Sequence, residues 1–282
     1  MKRILEKLYF ARIFLHFKFV GSRQEVADLK SFIRLLATVP TGQIILENVL
    51  KDRKRIRLFF DKNMDERTSG LFNSRTYNLK LNPRDLHNPD LSEEEQFKRK
   101  AFMTEVLSHE LQHAATAVSI RKSVLGARST KDFILASRII EASAYYMQRR
   151  VQRELLEQYP QIGEVYVYHD PKDPPGVERS CVSKDDPNFI QYHGKVLVAV
   201  PKQEVDVTQF FLDAYEGKNS RVNGSVNPDQ YSDDRAMKRP TQDLWRGIEE
   251  ILWQTGVQIP RHELLKQAWR STVYPSKKGG RK

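Results

Sequence analysis

Apolar residues recur at a helical period in several stretches of the chain, and capping residues mark where two of these stretches begin. Ser22 with Glu25, and Ser92 with Glu95, each have the spacing of a capping box. The pattern predicts helices over residues 22–37, 43–50, 92–119, 133–159, 205–215, 241–255 and 261–269. The first twenty residues are basic and apolar, and we predict a further helix there that docks on the rest of the chain.

Alternation of apolar and polar residues predicts strands in the segments between these helices. The predicted strands cover residues 56–60, 77–82, 164–168 and 195–200. In the second of them, Tyr77, Leu79 and Leu81 alternate with polar side chains before a proline ends the strand. One polar face and a proline boundary are typical of a sheet edge, so residues 77–82 are predicted to form an edge strand. Helices combined with a few strands in this order predict an α+β fold.

The long helical pattern ends near Pro160 and predicted strands follow it, and this change suggests a division of the chain. We predict an N-terminal helix over residues 1–21, a core domain over 22–158, an accessory region over 159–275 and a disordered basic tail over 276–282. Within the accessory region, residues 217–238 are polar and are predicted to form a long exposed loop.

The helix predicted over residues 92–119 contains the motif His109-Glu110-Leu111-Gln112-His113. Two histidines four residues apart lie one turn apart on the same side of a helix, so both imidazoles can bind one ion. Apolar residues flank the motif on both sides, which indicates a buried helix, where histidine and glutamate side chains need ligands or partners. Tetrahedral zinc suits two imidazoles, and Glu110 can take a proton from a water beside them.

A catalytic zinc site needs a third protein ligand, and Glu141 is the candidate. It lies on the next long predicted helix, preceded by two isoleucines and followed by Ala142-Ser143-Ala144. These apolar and small side chains would allow the two helices to approach closely, and a carboxylate in such a setting needs a cation. The alternative interpretation is a salt bridge from Glu141 to an arginine such as Arg138.

The motif His109-Glu110-x-x-His113, followed on the next helix by Glu141-Ala142-x-Ala144, resembles the gluzincin branch of the zinc metallopeptidases. Over about residues 22 to 158 the order of elements is similar, more narrowly, to poorly characterised bacterial metallopeptidase domains, some of which occur in secreted effectors. The chain departs from some gluzincin families at the residue before Glu141, which is an isoleucine where they have an asparagine. The resemblance implies a zincin-like fold, in which a small sheet packs on two long active-site helices.

The resemblance also implies a reaction. His109, His113 and Glu141 would hold Zn²⁺, and Glu110 would act as the general base of a zinc-dependent endopeptidase. The edge strand, here residues 77–82, would bind an extended polypeptide substrate through its main chain. An amidase or deformylase-like enzyme shares the same metal chemistry and is a second interpretation.

Three further residues are candidates for supporting roles in that reaction. The oxyanion usually has a second donor besides the metal, and Tyr145 and His193 are the candidates for it. Glu105 lies one turn before His109, where it either orients that imidazole or is a solvated charge.

The chain has a net charge of +11, a pI near 9.6 and a single cysteine, Cys181. One cysteine excludes an intramolecular disulfide framework and a cysteine-rich zinc module. The basic residues are spread along the chain, so nucleic-acid binding is a secondary hypothesis. The alternative to the peptidase is therefore a nucleic-acid- or protein-binding module with a structural or vestigial zinc site.

The apolar runs in the sequence are short. The longest near the N-terminus, residues 13–17, is shorter than the apolar part of a signal peptide. Nothing reaches the roughly 20 apolar residues of a membrane span. The sequence therefore predicts a cytoplasmic protein, or one that is secreted without a cleavable signal peptide.

Overall fold

Helices and strands follow one another along most of the chain. The computed structural model describes residues 2–65, 68–83, 86, 91–127, 130–175, 179–181, 190–192, 194–198, 211 and 242–256. The helices are α1 (Lys2–His16), α2 (Arg23–Leu36), α3 (Pro40–Lys51), α4 (Glu93–Ala115), α5 (Ala117–Gly126), α6 (Thr130–Gln158) and α7 (Gln242–Gln254), with a short 3-10 helix at Pro160–Gly163. The strands are β1 (Phe17–Val20), β2 (Ile56–Phe60), β3 (Gly70–Asn73), β4 (Asn78–Leu81), β5 (Glu164–Tyr168), β6 (Arg179–Cys181) and β7 (Lys195–Val198). The predicted α+β class is confirmed.

Both predicted capping boxes are present, and they set the starts of α2 and α4. The Glu25 backbone N–H donates to Ser22 Oγ at 3.2 Å, and the Ser22 N–H donates back to the Glu25 carboxylate at 2.8 Å. The same pair of bonds joins Ser92 and Glu95, at 3.3 and 3.0 Å. Each box satisfies backbone N–H groups that the first turn of a helix leaves without partners.

The four-stranded sheet has the order β1-β2-β4-β3, with β1, β2 and β4 parallel and β3 antiparallel to β4. The prediction of an edge strand at residues 77–82 is therefore wrong, because β4 lies between β2 and β3. Among the described strands, β3 is the edge next to β4. The alternation of side chains identified the two faces of β4 correctly, but it carries no information about the strands on either side.

The first twenty residues do not form one helix as predicted. The helix α1 ends at His16, and β1 pairs in parallel with β2 from Phe17 to Val20. Phe17 is buried, and its carbonyl oxygen accepts a hydrogen bond from Arg55 at 3.1 Å. The predicted docking of this helix is confirmed by Ile13, which is fully buried in the core.

The helix predicted over residues 92–119 is two helices. The first of them, α4, ends at Ala115, and α5 begins at Ala117. Between them the Thr116 hydroxyl donates a hydrogen bond to the carbonyl oxygen of Gln112 at 2.8 Å. The predictions for residues 56–60, 133–159, 164–168 and 241–255 agree with β2, α6, β5 and α7 to within a few residues. The predictions for residues 217–238, 261–269 and 276–282 lie outside the described residues, as does all of 205–215 except Phe211.

The buried apolar residues form two clusters that meet along α6. The first cluster contains residues of the five helices α1 through α5, of the four-stranded sheet and of the second half of α6. That half of α6 contributes Met147, Val151 and Leu155. The second joins the first half of α6 to α7 and Phe211. Gly247 allows α7 to lie against α5, since a Cβ there would come within 2.1 Å of Ser123 Oγ. Among the residues that the structure describes, no helix is long and apolar enough to cross a membrane.

Candidate metal centre

The helices α4 and α6 bring His109, His113 and Glu141 together, although Glu141 is on a different helix from the two histidines. The Nε2 atoms of His109 and His113 are 3.1 Å apart. The Glu141 carboxylate oxygens lie 3.5 Å from His109 Nε2 and 3.6 Å from His113 Nε2. The carboxylate therefore faces both imidazoles.

The spacing of the two Nε2 atoms and the two carboxylate oxygens of Glu141 is close to that of ligands around a small cation in tetrahedral coordination. Nitrogen and oxygen ligands lie about 2.0–2.1 Å from zinc, so two ligands of a tetrahedral ion lie about 3.3 Å from each other. The two Nε2 atoms are 3.1 Å apart, slightly closer than that value. Each of them lies slightly further than it, at 3.5 and 3.6 Å, from a different oxygen of the Glu141 carboxylate. The donor set, with two imidazoles and one carboxylate, is also one that binds divalent ions without further protein ligands.

Small side chains flank Glu141 on α6. Ala142 and Ala144 are fully buried, as is Ile139 two residues before Glu141, so both sides of this turn of the helix are packed. The packing leaves the carboxylate of Glu141 directed at the imidazoles. The small and buried setting that the sequence predicts around Glu141 is thus present.

The pKa values of the three donor residues are shifted in different directions. Burial lowers the pKa of His113 to about 4. Burial also acts to lower the pKa of His109, but its hydrogen bond with Glu141 and the negative charges of Glu110 and Glu141 together raise it above the ordinary value. Burial acts to raise the pKa of Glu141, and the two histidines hold it below the ordinary value. His113 is thus ready to bind a cation, whereas a proton competes for His109.

Glu110 is buried beside this centre, on the side where β3 passes α4. It is 7% exposed, and the backbone of Phe72 donates a hydrogen bond to its carboxylate. Burial raises its pKa to about 7, and the charge of Glu141 acts in the same direction. Gly70 makes this approach of β3 possible, since a Cβ there would lie 2.8 Å from Glu110 Cγ and 2.8 Å from a methyl group of Val106.

An open cavity of about 740 Å³ connects these groups. It is lined by the three donor residues, by Glu110, Tyr145 and Gln148, and by residues 68–72, which run from just before β3 into that strand. The Tyr145 ring packs edge-on against the His109 ring, with 4.6 Å between the ring centres. The other candidate oxyanion donor, His193, lies outside the described residues.

The interpretation of Glu105 as a solvated charge is wrong, because its side chain is enclosed where α4 packs in the core. Glu105 is 8% exposed, and burial raises its pKa to about 8. Nor is it the residue that orients His109, since Nδ1 of that ring lies 3.2 Å from Oε1 of Gln148 and Nε2 faces Glu141 and His113. Gln148 is a site residue that sequence reasoning missed, although its position seven residues after Glu141 places it on the same side of α6.

Replacing Glu105 by glutamine is expected to stabilise the protein at neutral pH. The unfolded chain ionises this carboxyl near its ordinary pKa of 4.5, whereas the folded chain keeps it protonated up to about 8. The wild-type protein therefore loses stability as the pH rises through this range, by up to about 3 kcal/mol at pH 7. We expect the free energy of unfolding of Glu105→Gln to match that of wild type near pH 4 and to exceed it increasingly up to pH 8.

Urea denaturation at several pH values measures this difference. Glu157→Gln, on the exposed side of α6, is the matched control and should show no such pH dependence, because its side chain is 66% exposed. A constant difference between Glu105→Gln and wild type from pH 4 to pH 8 would contradict the assignment of a buried, protonated carboxyl.

The fold and the site together define an α+β protein with a candidate metal centre of two histidines and one glutamate at the wall of an open cavity. No family model, no curated protein and no solved structure matches this chain.

Proposed function

We propose that this protein is a zinc-dependent endopeptidase with a gluzincin-type site on a zincin-like core. The observation that carries the proposal is the meeting of His109, His113 and Glu141 in one cavity with a second carboxyl, that of Glu110. Three protein donors would leave a fourth coordination position for water, and this is the arrangement of catalytic rather than structural zinc sites. When bound, the ion would supply Lewis acidity to a scissile carbonyl and lower the pKa of a water molecule.

Glu110 is suited to move the protons of peptide hydrolysis. It lies in the same cavity as the donors, and its hydrogen bond from the Phe72 backbone fixes the carboxylate on the β3 side. A general base works best when its pKa is close to the working pH, and that of Glu110 is about 7 before any cation is bound. We propose that it accepts a proton from the attacking water and delivers it to the leaving amine.

Tyr145 is the described residue best placed to donate a hydrogen bond to the developing oxyanion. Its ring packs against His109 and the residue lines the cavity, so we propose its hydroxyl as that donor. His193 stays a prediction from the sequence for the same role.

The strand β3 provides a surface for an extended polypeptide. Its residues from Gly70 to Phe72 line the cavity together with Thr68 and Ser69 just before the strand, and among the described strands its other side has no neighbour in the sheet. A peptide that adds to such an edge is bound by main-chain hydrogen bonds with little dependence on its sequence. Leu71 and Phe102 are about half exposed at this cavity, so apolar side chains on the peptide have surfaces to cover. These features favour a polypeptide over the small substrates of an amidase or deformylase.

The proposal is tested by analysing the purified protein for bound zinc and for cleavage of unfolded casein. We expect one zinc per chain, hydrolysis that a chelator abolishes, and recovery of activity when zinc is returned. Bound zinc without cleavage of casein or any other peptide substrate would overturn the peptidase. The alternative, a nucleic-acid- or protein-binding module with a structural zinc site, rests on the net charge of +11 and predicts salt-sensitive binding of DNA in the same preparation.

A further inference from the structure

The imidazole of His109 uses both of its ring nitrogens. Nε2 lies 3.1 Å from His113 Nε2 and 3.5 Å from a Glu141 oxygen, so it points to the centre of the donor set. Nδ1 points the other way and lies 3.2 Å from Oε1 of Gln148. A neutral imidazole has one N–H and one lone pair, so the partner of one nitrogen decides what the other can do.

Gln148 belongs to the same side of α6 as Glu141, two helical turns further along. Both residues line the cavity. The same side of α6 therefore carries one donor, Glu141, and also Gln148, which contacts the donor His109 on α4. This contact and the approach of Glu141 both follow from how α6 packs on α4.

We propose that Gln148 is the positioning residue of the metal centre, which accepts the Nδ1–H of His109 and so directs the Nε2 lone pair to the ion. The inference rests on the metal centre of the proposed function but not on the reaction. An amide oxygen can only accept a hydrogen bond, so Nδ1 carries the proton and Nε2 is free to bind. The contact also restricts rotation of the ring, which its packing against Tyr145 restricts from another side.

Gln148 contributes no charge while it does this. A carboxylate in the same position would add a negative charge to a site that already holds Glu110 and Glu141. The neutral amide sets the tautomer of His109 without that addition. Gln148→Glu keeps the accepting oxygen and adds the charge. It therefore separates the effect of the hydrogen bond on zinc binding from the effect of the charge.

The experiment compares Gln148→Met, which removes the acceptor at similar length, with Gln148→Glu, which keeps it. The affinity for Zn²⁺ is measured for each purified variant by competition with a chromophoric chelator. We expect Gln148→Met to weaken zinc binding by about 10-fold to 100-fold, the usual effect of losing such a partner. Gln148→Glu should bind zinc at least as tightly as wild type. Gln152→Met, at an exposed position on the same helix, is the matched control and should leave the affinity unchanged.

A second measurement uses only the wild-type protein, in case Gln148→Met does not fold. In zinc-loaded protein labelled with ¹⁵N-histidine, we expect the His109 proton on Nδ1 and the metal on Nε2. Zinc bound through Nδ1, or equal zinc affinity of Gln148→Met and wild type, would overturn the positioning role. Failure of the wild-type protein to bind zinc at all would overturn it together with the metal centre. Zinc binding that depends on Gln148 in a protein that cleaves no peptide would support the positioning role and reject only the peptidase.

Discussion

Substituting Glu110→Gln is expected to lower kcat/KM for an unfolded polypeptide by about 10²-fold to 10⁴-fold, the contribution that a positioned general base makes. The substitution keeps the shape of the side chain and its capacity to accept the hydrogen bond from Phe72, but it removes the capacity to take a proton. Zinc content should stay at the wild-type level, because Glu110 is not one of the three donors. Peptide hydrolysis and metal content, measured on the same preparation, test both statements.

Gly70→Ala provides a comparison that leaves the carboxyl of Glu110 chemically intact. The added methyl would meet Glu110 Cγ and Val106 at 2.8 Å, so either β3 or the Glu110 side chain must shift. We expect activity to fall, by less than in Glu110→Gln, with zinc retained. Full activity of Glu110→Gln would exclude the general-base role, whatever Gly70→Ala does.

Substituting Glu141→Ala is expected to remove zinc from the protein and hydrolysis with it. Loss of a ligand should weaken binding by more than the roughly 10-fold to 100-fold that follows loss of a partner in the outer shell. The two imidazoles that remain form an incomplete site. Zinc affinity by chelator competition, and activity with zinc in excess, are the measurements.

Glu157→Ala, an exposed carboxylate on the same helix, should leave both quantities unchanged. Glu110→Gln and Glu141→Ala thus separate the two carboxylates, because only the second is expected to lose the metal. Stoichiometric, tight zinc binding by Glu141→Ala would show that the third ligand is a different residue.

The parts of the site that the sequence predicted are those set by local geometry. Two histidines at positions 109 and 113 of one helix are neighbours wherever the helix lies. The capping box at Ser92 fixes where that helix starts. The place of Glu141 followed from its small neighbours and from the resemblance, and the structure brings it to the histidines.

The parts that were missed depend on which elements become neighbours. The four residues of β3 are too few for a periodic signal, and only pairing with β4 makes them a strand. The same pairing moved the sheet edge from β4 to β3. Glu105 is buried where α4 packs in the core, and Gln148 contacts His109 where α4 packs on α6. A glutamate or a glutamine in the sequence does not by itself predict such a position.

The division of the core into two apolar clusters implies that an ion at the candidate metal centre would also stabilise the fold. His109 and His113 lie on a helix that belongs to the first cluster, whereas Glu141 lies in the part of α6 that packs with α7 in the second. An ion held by all three would therefore add a link between the two clusters, beside the packing of α4 on α6 and of α5 on α7. Part of its binding free energy would stabilise the fold at this junction. Without the ion the helix packing would remain, and the loss of stability would fall on the part of α6 that carries Glu141.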